Sequence, residues 1–318
     1  MPMNSPITHE YDHGVTRIDA RFQRIGLACC YLIVAAGRGA LIDTGARNAV
    51  ACIEQVIADR GLRPQDIDYI IPTHVHLDHA GGAGELMRRL PNARLIVHPR
   101  GARHLIDPAK LRAGVIDVYG EAVFRRDYGE LIPIDAERVV EAPDGHTETL
   151  AGRVLTCIDT PGHANHHLCV WDERSRGFFT GDAFGLSYRE FDTKQGAFIL
   201  PTTTPVQFDP DAWHRTLDRL SAFEPARMFL THYGQVTEVE RLSGDLRKGI
   251  DAMARIAEEN KNRDNRSEAI AAAVRAYFME GIKAHGVRLG EKDILALIDM
   301  DVRLNAQGLE VWLDRRDR

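Results

Sequence analysis

T-H-V-H-L-D-H-A-G-G, residues 73–82, follows directly on the apolar run 69–72 and sets His74, His76, Asp78 and His79 within six residues. In an extended or turning segment alternate residues point the same way. His74, His76 and Asp78 can therefore converge on one side, while His79 follows as the chain turns into a helix. Imidazoles and a carboxylate are the ligand set that divalent zinc, and equally iron or manganese, accepts at neutral pH. The bland alternative is a solvated histidine-rich turn, but neighbouring histidines without a metal gain nothing from sharing a strand end.

Three further signals repeat the pattern of polar residues emerging where an apolar run ends. Thr160, Pro161, Gly162 and His163 follow 154–158; Thr180, Gly181 and Asp182 follow 177–179; Thr231 and His232 follow 227–230. Such strand ends are where α/β architectures place functional groups. Around them the chain alternates extended and helical signals. Extended runs at 15–20, 29–36 and 40–43, with a turn at 37–39, lead to a helix over 48–60 whose Val50, Ile53, Val56 and Ile57 share one face. A strand at 69–72, a helix at 82–90 and a strand at 94–98 come next. Residues 99–136 read as a mixed, largely helical excursion, followed by strands at 138–141, 146–150, 153–159, 167–172, 177–180 and 227–231, with a helix at 211–223. This order predicts an α/β sandwich with helices over the outer faces of its sheets. After Val236 strand signals stop. Leu242, Leu246, Ile250, Met253 and Ala257, then Ile270, Val274, Tyr277 and Phe278, then Ile294, Leu297 and Ile298 mark helical stripes, with 260–266 as an exposed turn. The expected organisation is a domain over 15–235 and a helical extension over 236–318 packed on it.

With those residues in view, the sequence resembles the metallo-β-lactamase superfamily, whose H-x-H-x-D-H signature is followed by a single His, a bridging Asp and a last His. The resemblance covers about 15–234. It implies a four-layer αβ/βα sandwich with two metals in the cleft between the sheets. Carried over, His74, His76 and His163 would hold the first metal and Asp78, His79 and His232 the second, with Asp182 as the bridge. All seven positions are filled. Asp43, in Ile42-Asp43-Thr44-Gly45, matches the family's early D-T-G turn near the metals; an ordinary turn-forming Asp is the alternative. The implied chemistry needs no side-chain nucleophile, since two divalent cations make a bridging hydroxide available near pH 7 and polarise a carbonyl. Asp78 and Asp182 are the residues expected to be catalytic at that centre. Zinc is the expected metal, with iron or manganese as alternatives.

The sequence is more similar to the small hydrolases around glyoxalase II and the lactonases than to the nuclease branches, because neither an inserted domain nor a basic run is visible. The expected function is hydrolysis of a small-molecule ester, thioester or lactone. A mononuclear iron persulfide dioxygenase shares the motif and stands as the alternative; a catalytically idle binding protein is the third reading, against which the complete ligand set argues. Tyr188 and Tyr233 lie close to Asp182 and His232 and are candidates to assist an oxyanion, with packing as the competing role. The segment 184–205 is expected to line the cleft, and its Arg189 to meet an anionic substrate group. His166 and His167 are read as one neighbour of the ligands and one core residue, and His98 as structural.

Composition narrows the partners. The 318 residues carry 40 Lys and Arg against 46 Asp and Glu, a net charge of −6 that offers no global attraction to nucleic acid or anionic membranes. A small-molecule substrate is expected, and the appended helices offer a homodimer contact. The beginning of the chain has no leader pattern and no stretch has the length of a membrane span, so a cytoplasmic protein is expected. Five cysteines, odd in number and without C-x-x-C spacing, read as reduced core residues.

Overall fold

The computed structural model describes residues 5–203 and 207–316, so Thr204 and Pro205, the end of the segment expected to line the cleft, lie outside the described residues. Seven strands, β1 (Thr8–Tyr11), β2 (Val15–Asp19), β3 (Cys29–Ala35), β4 (Arg38–Ile42), β5 (Ile67–Ile71), β6 (Arg94–Val97) and β7 (Val139–Glu141), form one sheet in chain order. A second sheet has the order β13-β12-β11-β10-β9-β8, from β8 (Thr147–Leu150), β9 (Arg153–Asp159), β10 (Leu168–Asp172), β11 (Gly177–Gly181), β12 (Arg227–Leu230) and β13 (Gly234–Val236). The hairpin between β3 and β4 turns at Ala36 and Gly37, both at positive φ, one residue before the expected turn.

The sheets face each other across one apolar core. Alternate residues Cys29, Tyr31 and Ile33 of β3 meet Leu155 and Cys157 of β9, Leu168 and Val170 of β10, and Phe179 and Phe229. The intervening residues Cys30 and Leu32 are buried as well, which is why β3 reads as a continuous apolar run. Helix α1 (Val50–Asp59) buries Val50, Ile53, Val56 and Ile57, the face expected from their spacing. Helices α2 (Leu77–Ala80), α3 (Ala83–Arg89), α4 (Pro99–Ile106), α5 (Ala109–Tyr119) and α6 (Glu121–Val123) occupy the rest of the first half. His98 has the structural role expected: its Nδ1 accepts from Arg100 N at 3.1 Å, capping α4, and its Nε2 lies 3.1 Å from Asp159 Oδ1.

All five cysteines are free and buried. Burial pushes the Cys29 thiol up to about 11 and that of Cys157 up to about 12, so both are inert core groups. At the far end of the second sheet Arg153 donates to both carboxylate oxygens of Asp172, at 2.8 and 2.6 Å, within the core.

Internal contacts divide the chain into two units. The first runs to Asp159 and resumes over His166–Gly181 and Ala226–Gln235; the second takes Thr160–Asn165, Asp182–Pro225 and the chain from Val236 onward. The division does not follow the single boundary expected at Val236, because two earlier segments group with the helices. The first unit contains the facing sheets. The second contains α7 (Pro210–Ser221), α8 (Val239–Asn260), α9 (Arg266–Ala284) and α10 (Glu291–Arg316). Asp209 caps α7 by accepting from Ala212 N at 2.9 Å, ahead of Pro210 in the first turn. The expected stripes of α8 to α10 are buried, apart from half-buried Tyr277 and Leu297. Arg247 donates to Asp218 Oδ1 at 2.7 Å and His214 O at 3.2 Å, and so joins α8 to α7. Among the described residues no helix is long and apolar enough to cross a membrane.

Candidate metal centre

Asp43 follows the last residue of β4 with φ at 56°, a left-handed conformation that Asp tolerates better than most residues. Its buried carboxylate accepts from Thr73 N at 2.7 Å, Thr73 Oγ1 at 2.9 Å, Thr231 Oγ1 at 2.7 Å and His79 Nδ1 at 2.8 Å. One side chain thus ties the ends of β4, β5 and β12, across both sheets. A carboxylate can only accept, so His79 carries its proton on Nδ1 and presents a lone pair at Nε2. The same logic fixes His232, whose Nδ1 donates to Leu27 O at 2.7 Å.

Asp78 completes this group, with Oδ2 3.3 Å from His232 Nε2 and 3.7 Å from His79 Nε2. One ligand atom from each of Asp78, His79 and His232 lies within 4.8 Å of the others. Two imidazole lone pairs and a carboxylate turned toward one another repel unless a positive charge sits among them, so the donor set fits a divalent cation. His74 Nε2 and His76 Nδ1 approach to 2.8 Å, a second pair of converging nitrogens. His74 Nδ1 lies 3.2 Å from Thr73 Oγ1, which in turn donates to Asp43. His76 has extended backbone, φ −62° and ψ 147°, and the chain enters α2 at the next residue. The turn into a helix expected after the alternating ligands is therefore present.

His163 and Asp182 belong to the second unit, where His163 Nε2 is 3.4 Å from Asp182 Oδ2. Covalently they sit just past the strands: Asp182 is the residue after β11, and His163 is four residues beyond Asp159. Each follows a glycine whose place any side chain would strain. At Gly162, φ 134°, a Cβ would come within 2.5 Å of the Trp213 backbone; at Gly181, φ 48°, one would lie 2.4 Å from Thr73 Oγ1. His163 Nδ1 donates to Thr202 O at 3.0 Å, again leaving Nε2 as the lone pair. Trp213 Nε1 donates to Ala183 O at 2.7 Å and fixes the residue after Asp182.

Other expected site residues have different partners. The Tyr233 hydroxyl donates to Asp19 Oδ2 at 3.0 Å and its ring sits in the intersheet core, so packing is its role. The Tyr188 hydroxyl is buried 3.2 Å from both carboxylate oxygens of Asp301 on α10. Arg189 folds back on its own loop, donating to Ser187 O at 2.8 Å and Ser187 Oγ at 2.6 Å, with Asp192 at 3.3 Å. His167 is buried, its ring 4.9 Å from that of His74, and the His166 ring lies 5.7 Å from that of His76. The motifs assign no role to Thr73, Thr231 or Thr202, which hold Asp43 and His163 in place. A signal existed for two of them, since a threonine immediately precedes a ligand histidine at both 73–74 and 231–232.

Residues 26–232 match the family model of the metallo-beta-lactamase superfamily. This chain belongs to the metallo-β-lactamase superfamily. A metallo-beta-lactamase fold-containing protein of Sulfurisphaera tokodaii is 27% identical over 215 residues, covering 66% of this chain and 74% of its own length. A metallo-beta-lactamase superfamily crystal structure from Sulfolobus tokodaii superposes with a TM-score of 0.66 at 23% identity, over 94% of this chain and 99% of that one, which shows the fold. The αβ/βα sandwich with C-terminal helices is accordingly the fold of this superfamily member. The thioesterase pkgB of Emericella nidulans is 25% identical over 186 residues, 56% of this chain and 44% of its own length. The N-acyl homoserine lactonase AttM of Agrobacterium fabrum is 30% identical over 116 residues, 36% and 39% of the two chains. Those two alignments span less than half of either relative. In broad class the chain is a metallo-hydrolase of the superfamily.

Proposed function

We propose that this superfamily member is a binuclear metal-dependent hydrolase of a small-molecule ester, thioester or lactone. The observation that carries the reading is the common polarity of His79, His163 and His232: each Nδ1 is held by an oxygen acceptor, so each Nε2 presents its lone pair, and each faces a carboxylate oxygen of Asp78 or Asp182. The proposed ligands are His74, His76 and His163 for one ion and Asp78, His79 and His232 for the other, with Asp182 between them. Relatives named as a thioesterase and a lactonase support carbonyl hydrolysis as the reaction. The chemistry such cations supply when bound is hydroxide near neutral pH and polarisation of a carbonyl.

The chain's own residues contribute the rest. Asp43 and Thr73 keep the imidazoles of His74 and His79 in the tautomer a metal requires, and Leu27 O and Thr202 O do the same for His232 and His163. Asp78 and Asp182 would supply the negative charge that balances the cations, their oxygens lying 3.3 Å from His232 Nε2 and 3.4 Å from His163 Nε2. The substrate is a small molecule rather than nucleic acid or a membrane, and the reading assigns the helices after Val236 to substrate choice and a homodimer contact.

The test combines elemental analysis with assays on lactones, thioesters and aryl esters, and oxygen uptake on persulfides, at known metal content. About two ions per chain are expected, with hydrolysis of at least one ester class lost by several orders of magnitude in Asp182→Ala and His76→Ala at unchanged far-UV spectra. One tightly held iron with persulfide-dependent oxygen uptake and no hydrolysis would replace this reading with the dioxygenase.

A further inference from the structure

A buried polar route leads from α10 to His163, entirely within the second unit. His163 Nδ1 donates to the carbonyl of Thr202 at 3.0 Å, and the N–H of the same peptide group, Thr203 N, donates to Asn305 Oδ1 at 2.7 Å. Thr203 Oγ1 lies 2.8 Å from that same Oδ1. The amide of Asn305 cannot be turned the other way without loss, because its Nδ2 donates to Asp301 O at 2.8 Å, one helical turn earlier. His163, Thr202, Thr203 and Asn305 are all buried. The peptide joining Thr202 to Thr203 is thus held from both sides, by the histidine at its oxygen and by the asparagine at its nitrogen.

We propose that Asn305 is a positioning residue for His163: it fixes the 202–203 peptide, and through that peptide the tautomer and ring orientation of the histidine. The inference rests on the reading of His163 as a metal ligand for its functional consequence, though the hydrogen-bond route stands apart from it. Aligned hydrogen bonds polarise one another, so an acceptor on the Thr203 N–H makes the Thr202 carbonyl a better acceptor for the imidazole proton. Removing Oδ1 leaves the buried Thr203 N–H without its acceptor, while Thr203 Oγ1 keeps the Asn305 carbonyl at 3.2 Å, and the peptide turns to recover a partner for its N–H. The His163 proton then loses its fixed acceptor, and Nε2 is no longer held as the lone pair. A residue more than one hundred and forty positions beyond the ligand would in this way help to set its metal affinity.

The test compares wild type with Asn305→Leu, Asn305→Asp and Thr203→Val in the full chain as purified. Histidine side-chain NMR reads the Nδ1–H signal of His163, assigned by its loss in His163→Ala, and chelator competition with elemental analysis reads release of each zinc ion. Asn305→Leu is expected to speed exchange of that proton and to weaken one of the two ions by about 10–100-fold, the range for partners that orient a ligand. Asn305→Asp, which keeps an acceptor for Thr203 N, is expected to restore the signal. Thr203→Val keeps the N–H route and is expected to leave the tautomer unchanged, which covers the case in which Asn305→Leu fails to fold. A folded Asn305→Leu with wild-type proton exchange and zinc release overturns the proposal, as does loss of the signal in Thr203→Val. If instead His163→Ala releases neither ion, the ligand assignment is what fails, and the NMR comparison still decides the route.

Discussion

Replacing Asp43 with asparagine separates its structural role from its effect on the metal ligands. Asparagine is nearly isosteric and tolerates the left-handed backbone at φ 56°, so the turn after β4 should survive. Its carbonyl oxygen can still accept from Thr73 N, which lies 2.7 Å from Oδ1. Its amide nitrogen would then stand where Oδ2 accepts from Thr231 Oγ1 at 2.7 Å and His79 Nδ1 at 2.8 Å. Threonine can rotate its hydroxyl and accept. His79 can accept only by moving its proton from Nδ1 to Nε2, onto the nitrogen proposed to bind metal. The stability cost is that of one exchanged charged hydrogen bond, about 1.5–3 kcal/mol. Metal affinity at the His79 site should fall by about 10–100-fold, or about 1.4–2.7 kcal/mol. Asp43→Ala, by contrast, orphans the Thr73 amide and the His79 imidazole N–H and should cost about 2–6 kcal/mol of stability, a large share of the net stability of an ordinary domain. Thermal unfolding, chelator competition and the His79 tautomer by NMR provide the readouts. An asparagine variant with wild-type zinc affinity, or with His79 still protonated at Nδ1, would refute the reasoning.

Three further outcomes follow from the geometry. Burial pushes the Asp172 carboxyl up, but the paired Arg153 guanidinium and Ser175 outweigh it and hold it below its usual range. Its contribution is therefore present above about pH 4 and lost as pH falls through the folded value, so Asp172→Asn should cost about 3 kcal/mol near neutrality and progressively less in acid; a gap independent of pH would contradict this. Gly181→Ala should destabilise by at least about 2 kcal/mol, because its Cβ would lie 2.4 Å from a Thr73 hydroxyl already committed to Asp43; wild-type melting would count against it. A chain ending at Gly234 lacks Asp301 and Asn305, the partners of Tyr188 and Thr203, so it should aggregate or lose metal on purification; a soluble, metal-loaded, active truncation would show those partners to be dispensable.

The strand ends and the candidate ligand residues beside them were legible because their signals are local. Apolar runs stop at Ile71, Ile158, Phe179 and Leu230, and a polar residue with metal chemistry follows each within a few positions. β1 was not legible: Thr8, His9 and Glu10 are exposed and Tyr11 is half-buried, so no apolar alternation marks the strand. The grouping of 160–165 and 182–225 with the late helices was hidden as well, since it depends on contacts between residues from about thirty to over one hundred positions apart. Asp301 and Asn305 offered one overlooked clue. They fall at helical spacing among Ile294, Ile298, Val302 and Leu309, all buried, and a polar residue on an apolar stripe calls for a buried partner. The Thr-His pairs at 73–74 and 231–232 mark Thr73 and Thr231, but their shared acceptor, Asp43, appears only once the fold closes around it.

Asp301 and Asn305 also grip the chain on both sides of the stretch 189–202, one through Tyr188 and the other through Thr203. Between two fixed posts, a change of loop length costs little, about 0.6 kcal/mol for each doubling. Insertions, deletions and charge reversals at its exposed tip, around Lys194 and Gln195, can therefore accumulate over generations while Tyr188, Thr202 and Thr203 stay in register. A helix that looks like an add-on to an old fold would then be a source of its evolvability: it lets a surface loop change while the side chains it anchors hold their places.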